Sequence, residues 1–250
     1  MTAAAQEPRT AVVTGGGTGI GRSVAALLAA DGYRVAVLGR RREVLEQVAR
    51  DTGAVVVAAD LSRPEEVTRA AAEVVDALGA VDALVLNAGS AQRGPQDTLE
   101  QVAAHWLTTM AQNLLPAVLL EHALRPHLRR PGGRVVAVTS AAARAVGGEV
   151  AYAASKAALN RWVVTLAGEL GPDGITVNAL SPGFVPDTEL YDGPVDPAWI
   201  ERAGHTIAVG RVGTPDDIAD AVRWLVSPGA AFVSGTVVEV DGGRSLAAPR

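Results

Sequence analysis

Short runs of β-branched residues alternate with longer Ala- and Leu-rich stretches along almost the whole chain, and nothing else constrains the fold as strongly. TAVVT (10–14), RVAVL (34–38), AVVVA (54–58), DALVL (82–86), RVVAV (134–138), ITVNA (175–179) and TVVEV (236–240) are predicted strands. Most are apolar at successive positions, as expected where helices cover both faces of a parallel sheet. Helices are predicted at 19–30, 41–51, 64–78, 98–129, 151–169 and 214–227. Two have readable starts, a polar cap followed by proline: Asp60, Ser62 and Pro64 before the third, and Thr214, Pro215 and Asp216 at the last. The expected class is α/β, a doubly wound parallel sheet of seven strands.

Composition narrows what such a sheet can serve. The chain has 250 residues, 48% of them hydrophobic, a size at which one domain spanning residues 1–250 can bury most of its apolar surface. A net charge of -5 disfavours nucleic acid or a membrane surface as partner, since both call for concentrated positive charge. With no Cys and four scattered His, disulfides, a thiol nucleophile and a metal centre are not expected, and the cytoplasm is the expected compartment. The first ten residues lack the apolar core of a signal peptide. Residues 101–120 carry no charge over a bilayer-spanning length, but Gln101, His105, Gln112, Asn113 and Pro116 would be costly in hydrocarbon, so a buried helix is expected.

The alternation breaks between Ser181 and Gly213, where Pro182, Pro186, Pro194 and Pro197 are interspersed with Leu190, Tyr191, Trp199 and Ile200. An irregular stretch of this length following a strand reads as a substrate lid, at about 184–210.

Three local patterns suggest chemistry. After the first strand comes Thr14-Gly15-Gly16-Gly17-Thr18-Gly19-Ile20-Gly21, leading into a helix. Glycines there let backbone approach a pyrophosphate, and the helix start offers free N–H groups and a positive dipole end. The spacing is a variant of the Rossmann dinucleotide-binding pattern, so a Rossmann-type sheet is expected. The second strand runs into Gly39-Arg40-Arg41-Arg42, with no carboxylate to accept from a ribose 2′-hydroxyl. Arg40 and Arg41 are therefore expected to favour the 2′-phosphate of NADP(H) over NAD(H). Tyr152 and Lys156 lie four apart on a predicted helix, where an ammonium can stabilise a phenolate and make the phenol a usable acid and base.

With these patterns, Asp60-Leu61, Asn87-Ala88-Gly89, Asn113, Ser140, Asn178, Pro182-Gly183, Ser234-Gly235 and Val240-Asp241-Gly242-Gly243 occur in an order and spacing that resemble the classical short-chain dehydrogenase/reductase family along nearly the whole chain. The resemblance implies that Tyr152 is general acid in reduction and base in oxidation, and that Lys156 lowers its pKa and holds the nicotinamide ribose. It implies that Ser140 hydrogen-bonds the substrate carbonyl and that Asn113 holds a water linking Lys156 to solvent. Asp60 and Leu61 then meet the adenine, Asn87 to Gly89 lie beside the cofactor ribose, and Pro182 and Gly183 sit against the nicotinamide with Val185 and Thr188 reaching its carboxamide. Asn87 bracing neighbouring strands and Asn113 satisfying buried backbone are the competing readings. The four His are read as surface or packing residues, with His205 alone lying in the lid.

Two spacings depart from the family. Ser140 precedes Tyr152 by one position fewer than usual, which makes Thr139 a rival, and Thr188 follows Pro182 by one position more. The lid from Asp187 to Arg202 holds Asp187, Glu189, Asp192, Asp196 and Glu201 against one arginine, which disfavours an anionic substrate. The first expectation is therefore an NADP(H)-dependent reductase of a small or medium uncharged ketone, or the reverse alcohol dehydrogenase. The runner-up is a 3-oxoacyl-[acyl-carrier-protein] reductase, favoured by the basic run Arg125, Arg129 and Arg130 but weakened by Asp173, where such enzymes commonly carry arginine. A non-catalytic NADP-binding sensor or scaffold is the third, though a pure binder needs no tuned proton donor. The resemblance also implies a homotetramer, and the uncharged stretch 224–238 suits a subunit contact or an interior strand.

Overall fold

The computed structural model describes residues 7–91, 94–145, 148–190 and 193–244. The elements in chain order are β1 (Thr10–Thr14), α1 (Gly19–Ala30), β2 (Arg34–Gly39), α2 (Arg42–Thr52), β3 (Val55–Ala58), α3 (Pro64–Leu78), β4 (Ala83–Leu86), α4 (Leu99–Asn113), α5 (Leu115–Leu124), β5 (Arg134–Val138), α6 (Val150–Leu170), β6 (Thr176–Pro182), α7 (Pro197–His205), α8 (Pro215–Leu225) and β7 (Val237–Val240). The strands form one sheet in the order β3-β2-β1-β4-β5-β6-β7, every pairing parallel. Chain order reverses between β1 and β4, and the crevice where doubly wound sheets bind ligands opens at the carboxyl ends of these two strands.

Each face of the sheet has its own core. Val13, Val37 and Val85 pack with Val24 and Leu28 of α1, Leu45 of α2 and Ile218 and Val222 of α8. On the other face Val12, Leu84 and Val135 meet Val74 of α3, Leu120 of α5 and Leu159 and Val163 of α6. Neighbouring residues of one strand thus serve opposite cores, which is why the strand runs are apolar without alternation.

The structure differs from expectation in three places. The helix expected at 98–129 is two helices, α4 and α5, followed by a single 3-10 turn at Arg125–His127. Pro116 has no N–H to donate to the Gln112 carbonyl and its ring crowds that oxygen, so the helix steps at Leu114. The segment expected to form a lid is not wholly irregular, because α7 lies within it, started by Asp196 accepting from the Ala198 N–H at 3.0 Å and by Pro197 in its first turn. Finally, Asp60 and Ser62 do not cap α3. Their side chains close the preceding turn on each other, and Pro64 follows an Arg63 N-cap whose side chain makes no capping bond and pairs instead with Glu65. At α8 the expected start holds, with Thr214 and Asp217 forming a reciprocal capping box. Tyr191 and Asp192 of the lid lie outside the described residues.

Candidate functional site

Two adjoining cavities, of about 870 and 790 Å³, lie over the carboxyl ends of the strands and share Gly15, Thr18, Ala88 and Gly89 as walls. The turn between β1 and α1 forms their common floor. Gly21 is the reason it folds so tightly: a Cβ there would lie 2.1 Å from the Gly15 carbonyl oxygen. Thr18, the N-cap of α1, makes no side-chain cap and the first turn holds no acidic residue. The N–H groups at this helix start are therefore available to an anion, reinforced by the helix dipole. This is the cradle a dinucleotide pyrophosphate requires.

The first cavity is lined by Gly17, Gly39, Arg40, Arg41, Asp60, Leu61 and Ser62, among others. Asp60 accepts from the Ser62 hydroxyl at 2.7 Å and the Ser62 N–H at 3.0 Å. The Ser62 hydroxyl bond, aided by the nearby Arg40, holds its carboxyl below the usual carboxylate range. The Arg40 guanidinium makes no ion pair among the described residues, whereas Arg41 bonds Glu189, which follows β6.

The second cavity gathers Gly19, Ile20, Asn87, Ser140, Tyr152, Lys156, Pro182, Gly183, Val185 and Thr188. Thr188 packs over Gly19 despite its extra position of spacing, and its hydroxyl donates to the Val185 carbonyl at 3.2 Å. The shortened loop before α6 still brings Ser140 and Tyr152 to one cavity. Thr139 also lines it, but its hydroxyl donates to the Leu180 carbonyl at 3.2 Å. Ser140 accepts from the Ala142 N–H at 3.1 Å, which leaves its own proton to donate.

Tyr152 and Lys156 are both buried, on one face of α6 as the spacing predicts, with the ammonium 5.7 Å from the centre of the phenol ring. The Lys156 ammonium donates to the Val138 carbonyl at 3.1 Å, and burial lowers its pKa from 10.5 to about 8. A cation held here favours the phenolate form of a neighbouring tyrosine. Together with the Ser140 hydroxyl, the set can exchange a proton with a substrate oxygen while donating a second hydrogen bond to it.

Two of the predicted residues stand behind the walls. Gly21 supports the turn from below, and Asn113, fully buried, accepts from the Ser90 N–H at 3.0 Å and donates to the Ser90 and Thr109 carbonyls at 2.8 and 3.0 Å. Gly89 is required beside it, since a Cβ would meet Asn113 Oδ1 at 2.7 Å and Lys156 Nζ at 3.1 Å. Asn87 lines the cavity and also braces β4 to β1, its amide donating to the Thr14 carbonyl at 3.0 Å. His205 is exposed at the end of α7 and lines neither cavity. The sequence does not announce the contacts of Thr14, whose hydroxyl accepts from the N–H groups of Asn87 and Ala88 at 2.9 Å each, of Glu189 with Arg41, or of His105 with Glu149, although His105 packs as expected of it. Thr14 heads the glycine pattern and Glu149 is a carboxylate just ahead of a predicted helix, whereas nothing local marks the contacts of Glu189 and His105.

A seven-stranded parallel sheet with a glycine turn, a cation at the β2 end and a Ser, Tyr and Lys set around one cavity defines a dinucleotide-dependent oxidoreductase scaffold. Residues 15–245 match the family described as enoyl-(acyl carrier protein) reductase. The chain is 37% identical to the short-chain reductase protein NovJ of Streptomyces niveus, covering 96% of this chain and 95% of that one. It is 35% identical to a galactitol 2-dehydrogenase (L-tagatose-forming) of Cereibacter sphaeroides, covering 94% of each. A short chain dehydrogenase from Burkholderia cenocepacia J2315, solved in complex with NADP, superposes with a TM-score of 0.84 at 36% identity over 95% of this chain and 98% of that one. The protein belongs to the short-chain dehydrogenase/reductase family of oxidoreductases.

Proposed function

We propose that this protein is a single-domain, NADP(H)-dependent oxidoreductase interconverting a ketone and a secondary alcohol on a small or medium uncharged substrate. The observation that carries the proposal is the cavity that Ser140, Tyr152 and Lys156 line together, continuous with a second one whose far end presents Arg40. When bound, the nicotinamide supplies or accepts the hydride. Tyr152 delivers the proton to the carbonyl oxygen in reduction and takes it back in oxidation. Ser140 holds that oxygen, and Lys156 keeps the phenol acidic and binds the nicotinamide ribose. Asn113 acts from behind by fixing the Gly89–Ser90 turn against Lys156, since its side-chain bonds go to backbone.

Arg40, without an ion pair among the described residues, supports a 2′-phosphate, and the NADP held by the Burkholderia relative agrees with that choice. Arg40→Ala is expected to weaken NADPH binding by about tenfold to a hundredfold, the worth of a charge-assisted hydrogen bond, while NADH binding stays unchanged. Fluorescence titration with each coenzyme checks this, and an equal loss for both would contradict the assignment.

The carrier-protein reading has less support. Arg125 pairs with Glu121 and Glu169, Arg129 with Asp82, and Arg130 with Asp173, so the basic run is already engaged within the chain. Following NADPH and NADH absorbance across a panel of ketones and acyl-carrier thioesters tests the substrate class, and rates confined to thioesters would overturn it. No helix of the described residues is long and apolar enough to cross a membrane, and action in the cytoplasm is part of the proposal. Exposed Leu99, Leu107, Trp224 and a fully exposed Phe232 support self-association. A homotetramer is expected by light scattering, and a monomer mass would remove that part.

A further inference from the structure

We propose that His105 is a positioning residue for the proton transfer assigned to Tyr152, acting through Glu149. Tyr152 sits in the first turn of α6, where backbone N–H groups have no partner within the helix and the chain frays most readily. The cap that holds this turn is unusual, because Glu149 is a longer and more flexible N-cap than the Ser, Thr, Asp or Asn generally found there. Its carboxylate accepts from the Ala151 N–H at 2.9 Å and from the N–H of Tyr152 itself. The same Oε1 that takes the Ala151 proton faces His105 Nε2 at 3.0 Å.

His105 comes from α4, and the two side chains are only 7% and 13% exposed, so the contact is a built one. Burial works against the charged carboxylate, but the bonds from His105, Tyr152 and Ala151 outweigh it and hold the Glu149 pKa below its ordinary value. An ionised cap is thereby fixed by an imidazole that fills the space between α4 and α6. The other edge of that ring faces the segment after β4, where a Cβ on Gly94 would lie 3.5 Å from His105 Nδ1. α4 therefore meets the reacting end twice, at Asn113 behind Lys156 and at His105 behind Tyr152. A displacement of about 1 Å at a reacting group can lower a rate by about a hundredfold, so the anchor of the first turn has leverage on the phenol.

This inference rests on the proposed role of Tyr152, and its test separates the two. His105→Phe keeps the volume and removes the donor, while His105→Gln keeps a neutral donor. With NADPH and ethyl acetoacetate as probes, His105→Phe is expected to lower kcat by about tenfold with coenzyme affinity unchanged, and His105→Gln to recover most of it. Independently of turnover, amide exchange at Ala151 and Tyr152 should quicken in His105→Phe and return toward normal in His105→Gln. Wild-type kcat and wild-type exchange in His105→Phe would overturn the inference, as would a loss entering through coenzyme affinity or not recovered by Gln. A Tyr152→Phe control that turns over normally sinks the functional reading instead. An inactive control beside an unaffected His105→Phe removes only the positioning role.

Discussion

If the proposed ketone reduction is the reaction, replacing Tyr152 by Phe is expected to lower its kcat by about a hundredfold to ten-thousandfold, the usual contribution of a positioned general acid, with NADPH affinity little changed. The substitution removes one oxygen and keeps the ring. Tyr152 is only 8% exposed and packs where Phe fits, so the fold should survive. Lys156 reaches its ammonium to the Val138 carbonyl whatever occupies position 152, and the glycine turn lies on other elements. Coenzyme binding and proton delivery are thus separable. Single-turnover decay of NADPH absorbance reads the chemical step, and a titration of coenzyme fluorescence reads binding. Turnover at the wild-type rate with coenzyme still bound would mean that another group, Ser140 in the same cavity being a candidate, delivers the proton. Loss of coenzyme binding together with turnover would instead place the phenol's main contribution in holding the dinucleotide.

What could be read in advance follows from how local each cause is. The strands were legible because both faces of the sheet are covered, so Val12 and Val13 serve opposite cores and both must be apolar. The Tyr152 and Lys156 pairing was legible because helix geometry alone puts such residues on one face. Pro116 was visible too, but as an interruption of an apolar run. Its clash with the carbonyl four residues back, which divides α4 from α5, is a backbone effect that the hydrophobic pattern hides. α7 carries the same cap-and-proline start as α8, yet Asp196-Pro197 sits among other prolines and reads as more loop. Thr139 and Ser140 could not be ranked from spacing. Their difference arises where Thr139 meets the Leu180 carbonyl of the neighbouring strand, forty-one positions away. The contacts of His105 with Glu149 and of Arg41 with Glu189 span 44 and 148 positions, and no local pattern announces either.

Lys156 should make the protein less stable at neutral pH than at alkaline pH, relative to a Lys156→Met variant, by about 3 kcal/mol. Its side chain is 3% exposed, and burial alone lowers its pKa from 10.5 to about 8. At pH 7 the folded and unfolded chains both hold the proton, and the folded chain bears the full cost of a buried cation. As pH rises through about 8 the folded chain releases the proton while the unfolded chain keeps it until near 10.5, so the cost fades across that window. The bond from Lys156 to the Val138 carbonyl is also lost in the variant, but that offset does not follow this titration window. Subtracting urea-unfolding free energies of variant from wild type at each pH cancels the groups that Lys156 does not influence, and carrying both chains on a Tyr152→Phe background removes the one tyrosine that it does. The difference should climb between pH 7 and 10.5, and a flat difference would show that the ammonium is solvated or paired in the folded state. The same titration bears on catalysis, because a neutral amine no longer favours the phenolate of Tyr152. The alkaline limb of kcat/KM for NADPH, which reports the free enzyme, is accordingly expected near pH 8. A cation that weakens the fold at neutral pH is retained only where its charge is used, and Tyr152 is the group on the same helix face positioned to use it.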